Sequence, residues 1–394
     1  MRRSSERVLT THVGSLIRPQ PLLPFIRTKQ SGQPYDQEAY QKCLSSSVAE
    51  VVRQQAAAGI DVPSDGEFGK SISWSQYALE RLSGFERRPV VPGSASRFAR
   101  GADRSRFAEF YAELDAASGP PATAAASVGE AVCVAPIRYT GQAEVQRDIA
   151  NFKAGLARAG VAEGFLPVAA PASVIPDRKN EHYASDEEML GAIADAMRAE
   201  YRAIVDAGLL VQLDDARAAV TYDRMVPPAS LADYRRWLEL QVEAINYATE
   251  GIPTDRIRYH VCWGSWPGPH TSDVALKDIV DLVLRVRAGA YLIEGANPRH
   301  EHEWRVWEKA TLPDGALLVP GVISHATNVV EHPELVAERI VRLARLLGRE
   351  NVIAGTDCGF AQGPFHRRVH PSIMWAKLEA LAEGARLASR DLWN

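Results

Sequence analysis

Residues 186–214 read DEEMLGAIADAMRAEYRAIVDAGLLVQLD, and this stretch decides the fold class. From Asp186 to Ala207 apolar residues recur at three- and four-residue spacing, as on a helix that buries one face. Gly208 stops that helix. Leu209–Asp214 follows as a short apolar strand ending on a carboxylate. The same unit recurs in both directions along the chain. Strands are predicted over Val8–Val13, Ile60–Ser64, Gly164–Ala169, Leu209–Asp214, Ile257–Cys262, Ala290–Glu294, Leu317–Ile323 and Val352–Asp357. Helical patterns occupy Gln37–Ala58, Asp186–Ala207, Leu231–Ala248, Leu276–Ala288 and Pro333–Leu347, and Gly59, Gly289 and Gly348 stop three of them just before the next strand.

Eight strands alternating with helices suit an α/β fold, either a (β/α)8 TIM barrel or a doubly wound sheet. The barrel is favoured because polar residues collect at the last position of nearly every strand. A doubly wound nucleotide binder needs a glycine-rich phosphate loop after its first strand, and HVGSLIRP (12–19) is not one. Residues 87–130 are the main irregularity and read as an insertion after the second strand, with Ala131–Tyr139 as an extra strand. The expected organisation is therefore one catalytic barrel over residues 1–394, with 87–139 as an excursion outside the ring.

Composition is that of an ordinary globular chain: 394 residues, 46% hydrophobic and 24% charged. A net charge of −4 argues against a nucleic-acid partner, and Arg2, Arg3 and Arg7 read as a solvated tail. No apolar run approaches the roughly 20 residues of a membrane helix, so no membrane partner is expected. The first residues lack the apolar centre of a signal peptide. Four cysteines in a chain of this length do not read as a disulfide framework, which points to reducing cytoplasm and leaves thiolates free to bind metal.

Three strand ends carry soft or borderline ligands. In IRYHVCWG (257–264) His260 and Cys262 are two apart and share one strand face, while Ile257, Tyr259 and Val261 take the other. AYLIEGAN (290–297) ends its strand on Glu294, and VIAGTDCGF (352–360) delivers Cys358 just past its end. In a barrel these ends converge on one rim, where one His, two Cys and one Glu form a tetrahedral set suited to zinc. The Glu is informative as an exchangeable ligand. His-x-Cys alone is a weak motif, and on spacing alone a buried cysteine reads equally as a small core residue. Cys43, in the helical QEAYQKCLSS (37–46), and Cys133, in the apolar AVCVAPI (131–137), read as structural. The rival cluster His300, Glu301 and His302 in PRHEHEW (298–304) reads as a rim loop, because three consecutive residues rarely converge on one ion.

Taken in order, HVGSLIRP, DGEFGK (65–70), LVQLDDA (210–216), YHVCWG (259–264), LIEGAN (292–297), LLVPGVIS (317–324) and GTDCGF (355–360) resemble the strand-end motifs of the cobalamin-independent methionine synthases, specifically their C-terminal catalytic barrel. The resemblance spans almost the whole chain except 87–130. It implies that His260, Cys262, Glu294 and Cys358 hold a zinc ion. It also implies that Val13, Gly14, Ser15, Glu67 and Asp214 bind an amino-acid thiol such as homocysteine. Carboxylates at Glu67 and Asp214 would pair with the substrate ammonium, and backbone amides near Ser15 would hold its carboxylate.

The implied chemistry is transfer of a methyl or other alkyl group to sulfur. A free thiol with a pKa of about 8.5 is a poor nucleophile at neutral pH, and a metal deprotonates it. The leaving group needs a proton, for which His325 in GVISHATN (321–328) is the expected source. Two departures concern the alkyl donor. The full-length synthases have a second, N-terminal barrel that helps bind folate, which this chain lacks. They also carry a pterin-stacking Trp after the third strand, where VAAPASVIPDRKN (168–180) has no aromatic residue and Asp177 stands nearby. Folate is therefore not the expected donor. The alternatives are an epoxide-opening thiol transferase of the epoxyalkane–coenzyme M kind and, in another class, a metal-free decarboxylase-like barrel; a non-catalytic zinc protein would have no use for rim carboxylates.

Overall fold

The computed structural model describes residues 1–89, 101–117 and 129–394. Much of the expected insertion, 90–100 and 118–128, lies outside the described residues. In chain order the strands are β1 (Phe85–Arg88), β2 (Glu130–Cys133), β3 (Phe165–Ala169), β4 (Lys179–Asn180), β5 (Leu210–Asp215), β6 (Ile257–Val261), β7 (Ala290–Ile293), β8 (Leu317–Ile323), β9 (Gly355–Thr356), β10 (Ala361–Gly363) and β11 (His366–Arg367).

Six of these form one parallel sheet in the order β3-β5-β6-β7-β8-β9. Its register brings strand ends level: Asp214 lies opposite His260, and His260 opposite Leu292. Single parallel bridges continue from its edges. Thr10 bridges Ala354, Thr11 bridges Val62, and Ser64 bridges Phe165 at the start of β3. The segments expected as the first two strands thus lie between β9 and β3 but pair through isolated bridges. The physical reason is local. Pro63 has no amide hydrogen to give a ladder, and Thr10 Oγ1 and Thr11 Oγ1 instead donate to the carbonyls of Gly59 (2.6 Å) and Val62 (2.8 Å).

Helices pack on the outer face, and their caps are legible in the sequence. Asp36 accepts from Ala39 N at the start of Gln37–Ala57, and Ser185 from Glu188 N at the start of Asp186–Asp206. Ser230 and Asp233 close a reciprocal capping box on Leu231–Ala248. The helix expected over Leu276–Ala288 is broken into a 3-10 turn, Leu276–Asp278, and a short helix, Val280–Val283. Four β-branched residues (Ile279, Val280, Val283, Val286) disfavour a continuous helix there, and Glu303 Oε1 takes the Leu276 amide at 2.7 Å. The predicted strand Ala131–Tyr139 is shorter than expected: β2 ends at Cys133, pairing antiparallel with β1 and parallel with β4.

One large apolar layer lies between sheet and helices and includes Tyr259, Val261, Tyr291 and Ile293. A second, smaller cluster of Leu9, Val13, Leu292, Val319 and Ile353 fills the inner side of the sheet. Arg258 also points inward. Its guanidinium donates to Thr11 Oγ1 (3.0 Å) and the His12 carbonyl (2.9 Å) and lies 3.7 Å from the centre of the Phe165 ring. This inner plug pins β6 to the first segment of the chain just below the polar strand ends.

Candidate functional site

On β6 the alternation of side chains sends Tyr259 outward, where its hydroxyl donates to Asp215 Oδ2 at 3.0 Å, and His260 inward. Cys262 follows on the inner face, and Cys358 arrives from the turn after β9. Their sulfurs are 3.5 Å apart, and all four cysteines are free thiols. The ligand atoms of His260, Cys262 and Cys358 lie within 4.8 Å of one another. Neither ring nitrogen of buried His260 has a well-formed hydrogen bond. Burial lowers its pKa, against the pull of Asp214, so the ring is a neutral donor. The Gly264 amide points at Cys262 Sγ from 3.2 Å, the orientation that stabilises a thiolate.

Glu294 is buried beside this group without joining it. Its Oε1 accepts from the Trp263 amide (2.9 Å) and its Oε2 from Asn297 Nδ2 (2.8 Å). Asp357, unremarked in the sequence beyond its place in GTDCGF, holds that loop: its Oδ1 accepts from the amides of Gly295 and Ala296, both at 2.8 Å. The acidic groups raise one another. The Cys262 thiol is pushed well up by its bond to Cys358, by burial and by Glu294. Burial, then Asp357 and Cys358, push Glu294 well up, and burial lifts Asp357 to about 6. Such a concentration of acids is what a cation would relieve.

The residues expected to bind substrate meet at the same place. Val13, Ser15, Glu67, Asp214, His260, Cys262 and Cys358 all line one cavity of about 330 Å³. Gly14 turns the chain at φ +130, and a Cβ there would sit 2.8 Å from Pro167 Cγ, so it shapes the wall by close approach. Glu67 adopts φ +63, a left-handed conformation that costs a non-glycine residue about 1 kcal/mol or more. One of its oxygens accepts from Lys70 Nζ at 2.9 Å, while Oε2 is buried without a partner. Burial pushes Asp214 up to about 7, and its Oδ1 accepts from Gln212 Nε2 at 2.8 Å. The adjacent Asp215 faces the other way and caps the helix Ala216–Met225.

Other walls were not legible in the sequence. Trp74, Trp266 and Tyr111 supply aromatic surface, although nothing after β3 does. Tyr111 belongs to Ala108–Ala117, which with Ala102–Arg106 forms the described part of the expected excursion. This segment lines the cavity instead of standing clear of it. Asp103 holds it down, accepting from Tyr111 Oη (3.0 Å), Thr271 N (3.0 Å), Thr271 Oγ1 (2.7 Å) and His270 N (3.2 Å). Trp266 Nε1 donates to Tyr111 Oη at 3.1 Å.

His325 is buried, is not among the residues that line the cavity, and has neither ring nitrogen bonded. Burial, then the nearby Arg368 and His260 charges, lower its pKa to about 3. In the rival cluster, His300 is clamped between Asp273 (3.0 Å) and Glu303 (2.7 Å), and Glu301 pairs with Arg339. Cys133 is fully buried and Cys43 half-buried within the core, neither near the other cysteines' metal-competent group. Asp177 is on the wall of the same cavity.

The site is thus a His/Cys/Cys donor set at the strand ends of a curled parallel α/β sheet, facing a cavity rimmed by carboxylates. No family model matches the chain. It is 25% identical over 393 residues to the uncharacterized protein YxjH of Bacillus subtilis strain 168, covering 97% of this chain and 94% of that one. To a methionine synthase of Thermococcus kodakarensis it is 23% identical over 385 residues, with coverage of 97% and 94%. Among solved structures, the B12-independent methionine synthase of Shewanella sp. W3-18-1 in complex with selenomethionine superposes with a TM-score of 0.71 at 18% identity, covering 98% of this chain and 99% of that one. A putative B12-independent methionine synthase from Listeria monocytogenes gives 0.63 at 19% identity, with the same coverage. The resemblance to cobalamin-independent methionine synthases read from the seven motifs therefore extends over nearly the whole chain, at low identity. No helix among the described residues is long and apolar enough to cross a membrane.

Proposed function

We propose that this chain is a zinc-dependent S-methyltransferase that transfers a methyl group to a homocysteine-like thiol. The observation that carries the reading is the group His260, Cys262 and Cys358, with an unbonded neutral imidazole and two free thiols opening onto the cavity. Soft sulfur donors beside imidazole suit zinc over calcium or magnesium, and Cys262 and Glu294 stay well raised, Glu294 despite the nearby His300 charge. In this reading the bridges at Thr10, Thr11 and Ser64 close the six-stranded sheet into an eight-stranded (β/α)8 barrel, and the whole chain is one catalytic unit with 87–139 as its excursion. Glu294 would complete the ligand set, at the cost of its present bonds from Trp263 and Asn297.

Zinc, when bound, supplies a Lewis acid on which a thiol ionises near neutral pH. The chain's own residues do the rest. Glu67 Oε2 and Asp214 pair with the substrate ammonium, which supports their burial as charged groups. The thiolate sulfur forms a bond to the methyl carbon as the carbon's bond to the donor breaks, and the departing atom takes up the electron pair and then a proton. His325 is assigned to that atom. Its buried ring is neutral at rest, so it serves the departing atom as a hydrogen-bond donor, and the proton itself comes from solvent water.

The aromatic wall of Trp266, Tyr111 and Trp74 would receive the donor. It lies elsewhere than the Trp of the folate enzymes, and the proposed donor remains a methyl compound other than folate. The site calls for a reducing compartment, since a disulfide between Cys262 and Cys358 would remove both sulfurs as ligands. The test is metal analysis of the purified protein with a screen of homocysteine, coenzyme M and glutathione for zinc-linked proton release. Stoichiometric zinc and proton release with homocysteine are expected. A protein that binds no zinc, or releases no proton with any thiol, overturns the reading.

A further inference from the structure

A zwitterionic thiol needs a partner for its carboxylate as well as for its ammonium. The backbone near Ser15 is the obvious place, but it is nearly used up. The Val13 amide donates to Thr356 Oγ1, the Gly14 amide to His12 Nδ1, and the Leu16 amide to the Gly66 carbonyl. Within this run only the Ser15 amide has no partner among the described residues. One hydrogen bond from an amide is a small return for a carboxylate brought into a buried cavity.

Arg368 stands next to it. The Phe360 amide donates to the Ser15 carbonyl (2.9 Å), and the Arg368 amide donates to the Phe360 carbonyl (3.1 Å), so one short backbone ladder joins the two. The Arg368 side chain lines the same cavity as Ser15, Cys262 and Cys358. Among the described residues no carboxylate lies within ion-pair distance of it, and its Nε is buried without an acceptor. Burial lowers its pKa, whereas the two neighbouring cysteines favour its charge. An Arg so placed is a planar donor set waiting for an oxyanion.

Resting on the function proposed above, we infer that Arg368, with the Ser15 amide, is the oxyanion subsite for the thiol substrate, in the same cavity as the ammonium partners Glu67 and Asp214. The acceptor is accordingly a short thiol bearing a carboxylate or sulfonate, and Arg368 determines specificity without touching the sulfur.

The experiment uses the zinc-loaded full chain and measures thiol affinity through proton release. The probes are homocysteine, 3-aminopropane-1-thiol (no oxyanion) and 2-mercaptoethanesulfonate (no ammonium). Arg368→Gln should weaken homocysteine roughly ten- to hundredfold, the loss of charge-assisted hydrogen bonds, with zinc content and aminothiol affinity unchanged; Arg368→Lys should restore part of it. The sulfonate should lose affinity likewise in Arg368→Gln while ignoring Glu67→Gln, and the thiol that wild type binds more tightly, homocysteine or the sulfonate, identifies the source of the oxyanion. The inference is overturned if Arg368→Gln loses zinc, if it weakens all three thiols equally, or if wild type binds the aminothiol as well as homocysteine. Failure of wild type to release a proton with any thiol would sink the functional reading instead, and is distinguishable because it does not depend on the variant.

Discussion

Replacing Cys358 with Ser tests the metal group most directly. Two thiolates 3.5 Å apart would repel each other by about 5 kcal/mol at an effective dielectric of about 20. That is roughly three orders of magnitude in proton affinity, so the metal-free pair keeps at least one proton well above neutral pH. Binding zinc must expel it, and Glu294, if it joins, expels another, since its carboxyl also lies well above the usual range. Wild type should therefore release between one and three protons per zinc at pH 7, measured by titration calorimetry in buffers of different ionisation enthalpy. Zinc affinity should fall with decreasing pH for the same reason. Sharing a zinc binding free energy of about 10–16 kcal/mol among three or four ligands gives roughly 3–5 kcal/mol each. Cys358→Ser should then cost at least about a hundredfold in affinity and abolish activity with the metal. Glu294→Gln separates a fourth ligand from a neighbour: as a ligand its loss lowers both affinity and proton count, as a neighbour it lowers neither. Stoichiometric, undiminished zinc binding by Cys358→Ser, or zinc uptake without proton release, would refute the argument.

Three further outcomes are expected. Glu67→Gln and Asp214→Asn should raise KM for homocysteine with zinc content unchanged; loss of zinc in either would mean that they belong to the metal group. His325→Ala should lower kcat while leaving thiol-linked proton release nearly intact, because thiolate formation precedes transfer; a parallel loss of proton release would assign the ring to the metal. Burial opposes the charge of His300, but its bonds to Asp273 and Glu303 prevail and push its pKa up to about 10. A folded pKa raised above the unfolded value of about 6.5 stabilises fully below that value and is lost as pH rises through 10. Thermal stability should therefore decline between about pH 7 and 10 in wild type, and this slope should flatten in His300→Gln; an unchanged slope would show that other groups govern it.

Some of the site was legible because it rests on local chemistry. Side chains alternate along any strand, so His260 and Cys262 had to share a face whatever surrounds them. The apolar periodicity of Asp186–Ala207 and the glycine after it announce a helix and its end without reference to the rest of the chain. The departures also have local causes: Pro63 and the threonine hydroxyls reduced two expected strands to bridges, and β-branched residues broke the helix expected over Leu276–Ala288.

What the tertiary structure decided are pairings between residues far apart in sequence, which leave no periodic trace. Glu294 was expected as the exchangeable ligand of the set, yet the amide of Trp263 and the side chain of Asn297 hold it beside the other three. Glu67 looked free, yet Lys70 takes one oxygen. The aromatic surface missing after β3 comes from Trp266 and from Tyr111, on a segment held down by Asp103. Arg368 was one arginine among many until the fold set it beside two thiols, with no ion-pair partner among the described residues. The sequence by itself determined the elements and the chemistry carried at their ends, because those depend on neighbours a few residues away. Which of those groups meet, and which are already satisfied when they do, depends on register, loop closure and the competition of each polar atom for distant partners, and only the folded chain resolves that competition.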